Sequence, residues 1–125
     1  MDIPEDLHYT EEHEWVYLED EVAIVGVTDY AQSELGDVVF VELPQIGDYV
    51  QQMEPFGTIE AVKTVADLFA PVSGEVIEVN NLLDENPQLI NQDPYGEGWI
   101  IKIKMADSSE LDNLVSPKEY SKLVE

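Results

Sequence analysis

The amino-acid sequence predicts a mainly β fold, a flattened β-sandwich with a short helix near residues 30–35 and further helices towards the C-terminus. Between residues 15 and 79, short runs rich in Val, Ile, Phe and Tyr are separated by Gly, Pro and Asp, as in strands joined by turns. The turn pattern P-x-x-G-acid occurs at residues 44–48 and 71–75, which suits two similar halves related by an approximate two-fold axis. The length of 125 residues predicts one domain, residues 1–125, with one core.

Seven strands follow from these runs. They are predicted at residues 14–18, 22–27, 38–43, 55–62, 65–69, 74–79 and 99–105. In the last strand, the alternation IKIKM places Lys102 and Lys104 on one solvent face. The two lysines are therefore predicted to protect an exposed edge of a sheet.

The first helix is predicted from signals at both of its ends. Asp29 with Gln32 resembles a capping box, and Gly36 supplies a left-handed stop, so the helix should cover residues 30–35. Residues 80–98 are rich in Asn, Asp, Pro and Gly and are predicted to be mainly loop, with one turn of helix.

Two more helices are predicted at the C-terminal end. An Asp–Glu pair at positions 107 and 110 begins a helix over residues 108–114. The sequence SPKE at residues 116–119 combines an N-cap, proline at the first helical position and glutamate at the third. It begins a final helix that ends near residue 124.

The charge balance is strongly acidic. Five lysines, no arginine and 28 carboxylates give a net charge of −23. Such a charge repels nucleic acids and anionic membranes, so neither is an expected partner. Two interpretations of the acidic charge remain open: a solvated surface that suits a salty cytoplasm, or a surface that docks to partners with basic faces.

The composition also bears on the compartment and the chemistry. No cysteine is present, so disulfides, a thiolate nucleophile and a thiolate zinc site are excluded, and any redox sulfur must come from a cofactor. Residues 1–15 are acidic and lack the pattern of a targeting peptide, and the apolar runs are too short to span a bilayer. We expect a cytoplasmic protein.

Lys63 is the only lysine between residues 57 and 74, and it lies between two short apolar runs. A flexible amine at the bend of a β-hairpin is suited to covalent attachment of a cofactor. The same pattern also fits a lysine that protects a hydrophobic strand pair from aggregation. Spacing alone favours the protective interpretation.

Four longer motifs favour cofactor attachment over the protective interpretation. They are HEWV at residues 13–16, VGVTDYAQSELGDVVFVELPQIGD at 25–48, EAVKTVADLFAPVSGEVIEVN at 60–80 and LINQDPYGEGWIIKIK at 89–104. In this order they resemble the H protein family of the glycine cleavage system, the lipoyl carriers of that system, over nearly the whole chain. The resemblance implies a barrel-sandwich hybrid of the lipoyl/biotinyl-carrier type.

The resemblance also implies where the cofactor is attached. The lipoylated lysine of the family falls on Lys63, with the expected acid three residues before it at Glu60 and the expected glycine eleven residues after it at Gly74. Lipoate would be held by an amide, which leaves a net charge of −24 because one of the five lysines becomes neutral. The sequence departs from the common family residues at Ala61, Ala66 and Phe69.

A cleft for the loaded arm is implied as well. In the family the arm carries an aminomethyl group into a cleft. By resemblance, the acidic residues of that cleft correspond to Glu12, Glu14 and Asp67 here. An amine on the same carbon as a thioether expels the sulfur through its nitrogen lone pair. Nearby carboxylates keep that nitrogen protonated, and the walls exclude water. The alternative is that the three acids belong to an ordinary wet surface.

The family role is that of a carrier without catalytic activity of its own. The resemblance implies four partners: a pyridoxal-phosphate-dependent glycine decarboxylase, a tetrahydrofolate-dependent aminomethyltransferase, the FAD enzyme dihydrolipoyl dehydrogenase, and a lipoate ligase or lipoyltransferase. A shuttle that exposes its arm to several enzymes is most simply a monomer. We find no nucleophile paired with a base that would indicate an enzyme.

Other carrier classes have their own sequence features. A biotin carrier normally flanks its lysine with methionines, whereas Val62 and Thr64 stand here. A lipoyl domain of a 2-oxoacid dehydrogenase would adjoin a flexible linker and an acyltransferase domain, and neither is found in these 125 residues. An H-like protein that relays lipoate from Lys63 to other apoproteins stays open, as does an unmodified acidic adaptor. His8 and His13 match no compact ligand spacing, so no metal site is predicted.

Overall fold

A computed structural model describes residues 2–124, and nine strands, four α-helices and one 3₁₀ helix are placed within them. The strands are β1 His8–Tyr9, β2 Glu14–Glu19, β3 Val22–Val27, β4 Val38–Glu42, β5 Tyr49–Val50, β6 Pro55–Ala61, β7 Val65–Phe69, β8 Gly74–Val79 and β9 Ile101–Met105. The helices are α1 Asp29–Leu35, α2 Leu82–Glu85, α3 Leu89–Gln92, the 3₁₀ helix Ser108–Asn113 and α4 Pro117–Leu123.

The strands form two antiparallel sheets. The larger has six strands in the order β1-β2-β3-β9-β8-β5, and the smaller has three in the order β4-β6-β7. The mainly β architecture that the sequence predicts is thus confirmed, and all seven predicted strands are found within two residues of their predicted bounds. The two-residue strands β1 and β5 were not predicted. They are too short to carry an alternating pattern.

The prediction that Lys102 and Lys104 protect a sheet edge is wrong. Their strand, β9, lies between β3 and β8 and is hydrogen-bonded on both sides. Lys104 is exposed on the face of the sheet, and Lys102 Nζ lies 3.4 Å from a carboxylate oxygen of Glu78 on β8. Alternation identifies the face on which a side chain lies, but it does not identify the neighbours of the strand.

The helix predictions are mostly confirmed, with one change of cap. Thr28, not Asp29, caps α1, because its backbone is extended and its hydroxyl accepts a hydrogen bond from the Ala31 N–H. Asp29 lies inside the helix, where its carboxylate accepts from the Gln32 amide at 2.7 Å. The final helix begins with the predicted capping box at Ser116.

Two segments differ from the prediction in the number or the type of their helices. Residues 80–98 hold two single-turn helices, α2 and α3, instead of one turn. Residues 108–113 form a 3₁₀ helix instead of an α-helix. Asp107 does cap it, but the Glu110 carboxylate turns away to accept from the backbone N–H and hydroxyl of Ser73, both at 2.7 Å. The expected reciprocal bond of a capping box is therefore missing.

The core has two parts. The main cluster fills the space between the sheets and includes Val25, Ile59, Leu68 and Ile103. A smaller cluster packs the N-terminal segment against α4, and its centre is the stack of Tyr9 on Tyr120, with ring centroids 4.6 Å apart. These aromatic rings hold the two ends of the chain together. Among the described residues, no helix is long and apolar enough to cross a bilayer.

Candidate functional site

Lys63 lies in the tight turn between β6 and β7. The Ala61 N–H donates to the Thr64 carbonyl at 2.8 Å, which closes the hairpin around Val62 and Lys63. The strands pair as expected up to the turn, with Glu60 opposite the first residue of β7. The Lys63 side chain is exposed, and the one ion pair found within residues 2–124 does not involve it. The amine is therefore available to an enzyme that approaches the hairpin.

The stem of Lys63 lies beside Gly36, the residue that ends α1. A Cβ on Gly36 would be only 3.2 Å from Lys63 Cε, so a side chain there would crowd the stem. Gly36 has φ 78° and ψ −159°, a conformation essentially restricted to glycine. The Val62 N–H donates to the Asp37 carbonyl at 3.0 Å and ties the turn to the segment after Gly36. Lys63 thus leaves the hairpin at the C-terminal end of α1.

The other two residues expected around the attachment site lie in different surroundings. Glu60 is exposed on the outer face of the three-stranded sheet, paired with Phe40 on one side and Val65 on the other. Gly74 is buried at the start of β8, where a Cβ would overlap the Lys104 carbonyl oxygen. The close approach of two strands accounts for a glycine at position 74 without any contact with Lys63.

A cleft of about 360 Å³ begins next to the C-terminal end of α1. It is lined by α1, β7, part of β6 and the segment that leads into β2. The apolar part of its wall includes Val27, Leu35, Ile59 and Leu68, and its carboxylates are Glu12, Glu14, Glu34 and Asp67. The structure thus brings together the three acids that the sequence singled out, although Asp67 is more than 50 positions from the other two.

Glu14 differs from the other carboxylates of the cleft because it is buried, with only 2% of the residue exposed. The Thr10 hydroxyl donates to Glu14 Oε1 at 2.6 Å, and the Phe69 N–H donates to Oε2 at 3.3 Å. Burial raises the pKa of Glu14 to about 8, although these hydrogen bonds favour the ionised form. Glu12 and Asp67, in contrast, are exposed.

A hydrogen-bond network supports the segment that carries Glu14. The Tyr120 hydroxyl lies 2.7 Å from Thr28 Oγ1 and 2.8 Å from His13 Nδ1. His13 has φ 72°, lines the cleft and packs its ring against Tyr30 at 4.8 Å. Burial lowers the pKa of His13, so the ring is neutral at pH 7. His13 is thus held as a packing and hydrogen-bonding residue.

Comparison with known proteins agrees with this geometry. A family model described as Glycine cleavage H-protein matches residues 7–125. The chain belongs to this family. A glycine cleavage system H protein from Bacteroides fragilis is 56% identical over 99% of this chain and 98% of its own length. One from Rubrobacter xylanophilus is 57% identical, over 99% and 96%.

The same family is found among solved structures. The crystal structure of a glycine cleavage system H protein from Mycobacterium marinum matches this fold with a TM-score of 0.89 and 40% identity, over 96% of this chain and 97% of that chain. The lipoyl-carrier fold and the carrier role in glycine cleavage that the motifs imply are therefore confirmed.

Sequence reasoning missed several residues around the H protein cleft. Tyr30 and Glu34 are four apart on α1 and therefore share one helix face, a signal that was available in the sequence. Thr10 and Gly36 gave no such signal, because their roles depend on contacts with Glu14 and Lys63 that only the fold creates. Among residues 2–124, no group of three or more His, Cys, Asp or Glu is arranged to hold a metal ion.

Proposed function

We propose that this lipoyl carrier of the glycine cleavage system holds its lipoate through an amide to Lys63. The observation that carries the proposal is an exposed amine in a tight hairpin turn, with its stem beside Gly36 at the end of α1, the helix that lines the cleft. The rigid hairpin fixes the attachment point, whereas the lysine stem keeps the freedom needed to reach more than one enzyme.

The residues around Lys63 fit a lipoyl arm. Such an arm has an apolar chain, and the neighbouring cleft offers apolar walls from Leu35, Ile59 and Leu68. When bound, the lipoyl group supplies the sulfur chemistry that this chain, which has no cysteine, lacks. Glu60 and Gly74 are proposed to complete the recognition context, Glu60 as a surface acid and Gly74 by preserving the strand geometry.

The carboxylates of the cleft are proposed to hold a protonated amine, the charge state expected for an aminomethyl cargo. Glu14 lies at the buried end, and Asp67 and Glu12 lie at the exposed side. A cation in contact with Glu14 would lower the pKa of that carboxyl from about 8 and ionise it. Ion pairing in a site shielded from water keeps the nitrogen lone pair occupied by a proton.

The chain itself is proposed to be a non-catalytic, monomeric carrier of the cytoplasm. Its partners would be the glycine decarboxylase, the aminomethyltransferase, dihydrolipoyl dehydrogenase and a lipoate ligase or lipoyltransferase. The net charge of −23 supports docking to enzymes with basic faces, because opposite potentials raise the rate of encounter.

The attachment is tested by intact-mass spectrometry before and after incubation with lipoate, ATP and a purified lipoate ligase. The parent protein should gain the mass of one lipoyl group, and peptide mapping should place it on Lys63. The variant Lys63→Arg keeps the positive charge but removes the primary amine, so it should gain no mass.

Lys104→Arg is the matched control, since Lys104 is also an exposed lysine but lies on β9 and not in the β6–β7 turn. It should be modified as fully as the parent. Modification of the Lys63→Arg variant, or of a different lysine in the parent, would refute the proposal.

A further inference from the structure

Four exposed apolar side chains surround the turn that carries Lys63. They are Val39, Phe40, Val62 and Val65, with 48–75% of each residue exposed, and we call them the hairpin patch. Single exposed apolar residues are common on protein surfaces, but a cluster around a functional group indicates an interaction site. The hairpin patch has no role in the core or in the cleft described above.

Strand register explains why these residues are neighbours. Phe40 on β4 pairs with Glu60 on β6, and Glu60 pairs with Val65 on β7, so the three form one row on the outer face of the three-stranded sheet. A bulge after the buried Val38 leaves Val39 exposed beside Phe40.

The patch lies where a monomer would be expected to avoid apolar groups. Because β4 is an edge of the three-stranded sheet, Phe40 is presented on a strand with one unpaired side, which is a hazard for aggregation. The outer face of such a sheet normally carries polar side chains. The next row of the same face follows that rule, since it reads Glu42, Thr58 and Asp67. The large exposed apolar side chains of this sheet thus lie at the end that carries Lys63.

We propose that the hairpin patch is the docking surface for the enzyme that acylates Lys63. The inference rests on the proposed function. In the reaction, the neutral Nζ attacks the carbonyl carbon of an activated acyl group, an anhydride or thioester that the enzyme supplies. A C–N bond forms, the bond to the leaving group breaks with its electron pair, and nitrogen loses one proton.

The position of Lys63 places two residues of the hairpin patch, Val62 and Val65, next to the reacting amine. Lys63 is set in a two-residue turn close to the body of the protein, and its stem lies against Gly36. An active site that reaches Nζ must therefore cover the flanking Val62 and Val65. Burial of these apolar groups is favourable only in the complex, so it stabilises the encounter without stabilising the free carrier.

The charges around the patch indicate the character of the partner surface. Glu42, Glu60 and Asp67 are exposed on the same sheet face, and no lysine other than Lys63 lies in or between the strands of that sheet. Acylation removes that single positive charge. The partner face should therefore have an apolar centre with basic groups at its rim, and binding should weaken as salt is added.

The experiment measures kcat and KM for lipoylation by a purified lipoate ligase on the variants Phe40→Ser, Val65→Ser and Val62→Ser. Each should lower kcat/KM about ten-fold or more, mainly by raising KM, as expected when an interface anchor is truncated. Ile46→Ser and Tyr49→Ser are the matched controls, since these residues are 64% and 61% exposed, but Tyr49 lies on β5, an edge of the six-stranded sheet, and Ile46 lies in the turn before it. They should behave like the parent.

The outcomes separate this inference from the proposed function. If the parent is not lipoylated on Lys63, the proposed function itself fails. If the parent is lipoylated and the three patch variants match it in kcat/KM, only the docking surface is refuted. Normal lipoylation of patch variants that then fail with the decarboxylase would also refute the proposal, because the patch would serve a later partner. Thermal unfolding of each variant checks that the fold is retained.

Discussion

Glu14 makes the protein less stable as the pH of the solution rises, whereas most carboxyl groups of folded proteins have the opposite effect. Its pKa is raised from 4.5 to about 8 because the group is buried, so the folded state holds a proton between these values while the unfolded state does not. Raising the pH through this window therefore favours the unfolded state. Glu14 stabilises the fold most fully below pH 4.5, and this contribution is lost as the pH approaches 8.

Glu14→Gln should flatten this dependence, because glutamine keeps the shape and hydrogen-bonding capacity but does not titrate. The free energy of unfolding of the parent should fall more steeply than that of the variant between pH 5 and 8, by up to about 1.4 kcal/mol per pH unit. Urea unfolding at a series of pH values measures it. Glu12→Gln, at an exposed position of the same cleft, should change the slope little. Parallel curves for Glu14→Gln and the parent would contradict the prediction.

Gly36 gives a second prediction for a single residue. Gly36→Ala should destabilise the fold by about 1–3 kcal/mol through its backbone conformation, and its Cβ should push the Lys63 stem away. The Lys63 amine should then react faster with acetic anhydride, measured by mass spectrometry of the peptide that contains it.

Gly47→Ala separates the two effects, since Gly47 also has a positive φ, 99°, but has open space where a Cβ would be. It should lose stability in the same way while Lys63 keeps the parent reactivity. Equal reactivity of Lys63 in the two variants would show that Gly36 does not constrain the stem.

At the scale of the elements, α4 is held in place by a hydroxyl. Tyr120→Phe should remove the hydrogen bonds to Thr28 and His13, which leaves His13 Nδ1 without this partner and Thr28 Oγ1 with the Ala31 N–H alone, at a cost of about 1–3 kcal/mol. The melting temperature should fall by roughly 4–11 °C. Tyr49→Phe, which removes an exposed hydroxyl, should leave the melting temperature unchanged. A similar melting temperature for Tyr120→Phe and the parent would refute the role of this network.

The elements show what local sequence can and cannot predict. Strands such as Val22–Val27 and Val65–Phe69 were predicted to the residue, because apolar runs and turn residues are local signals. The position of β9 inside its sheet was not predicted, since strand order depends on pairings between distant segments. The cap of α1 was displaced by one residue because Thr28 and Asp29 are both good caps, and packing decided between them.

Some features of the candidate site could also be predicted from the sequence, and others could not. Lys63 and its hairpin follow from local pattern joined to long motifs, and the grouping of Glu12, Glu14 and Asp67 came from family resemblance, not from spacing. The burial of Glu14 could not be predicted, because it depends on contacts with Thr10 and with β7. In a chain with many acidic residues, the neighbouring sequence does not show which one of them is buried.

At the scale of the whole molecule, charge dominates. With 28 carboxylates and five lysines, and one ion pair found among residues 2–124, most charges repel one another. Raising KCl from 10 to 500 mM, about a seven-fold reduction in Debye length, should therefore raise the melting temperature. The rise should be smaller for a variant with Glu54, Glu85, Glu97 and Asp112 changed to amides, all of which are exposed and lie away from the cleft. Equal salt responses would contradict the prediction.

The stack of Tyr9 on Tyr120 has a practical consequence for anyone who studies this carrier on a biosensor chip. Two of the five lysines, Lys118 and Lys122, lie on α4, and a third is Lys63 itself, so random amine coupling would often attach the protein to the chip through Lys63 or through α4. Strain applied to α4 would be transmitted through Tyr120 to His13, 107 positions away, beside the cargo. A single cysteine introduced at the exposed Glu75, on the opposite part of the large sheet, would give a handle that leaves both intact.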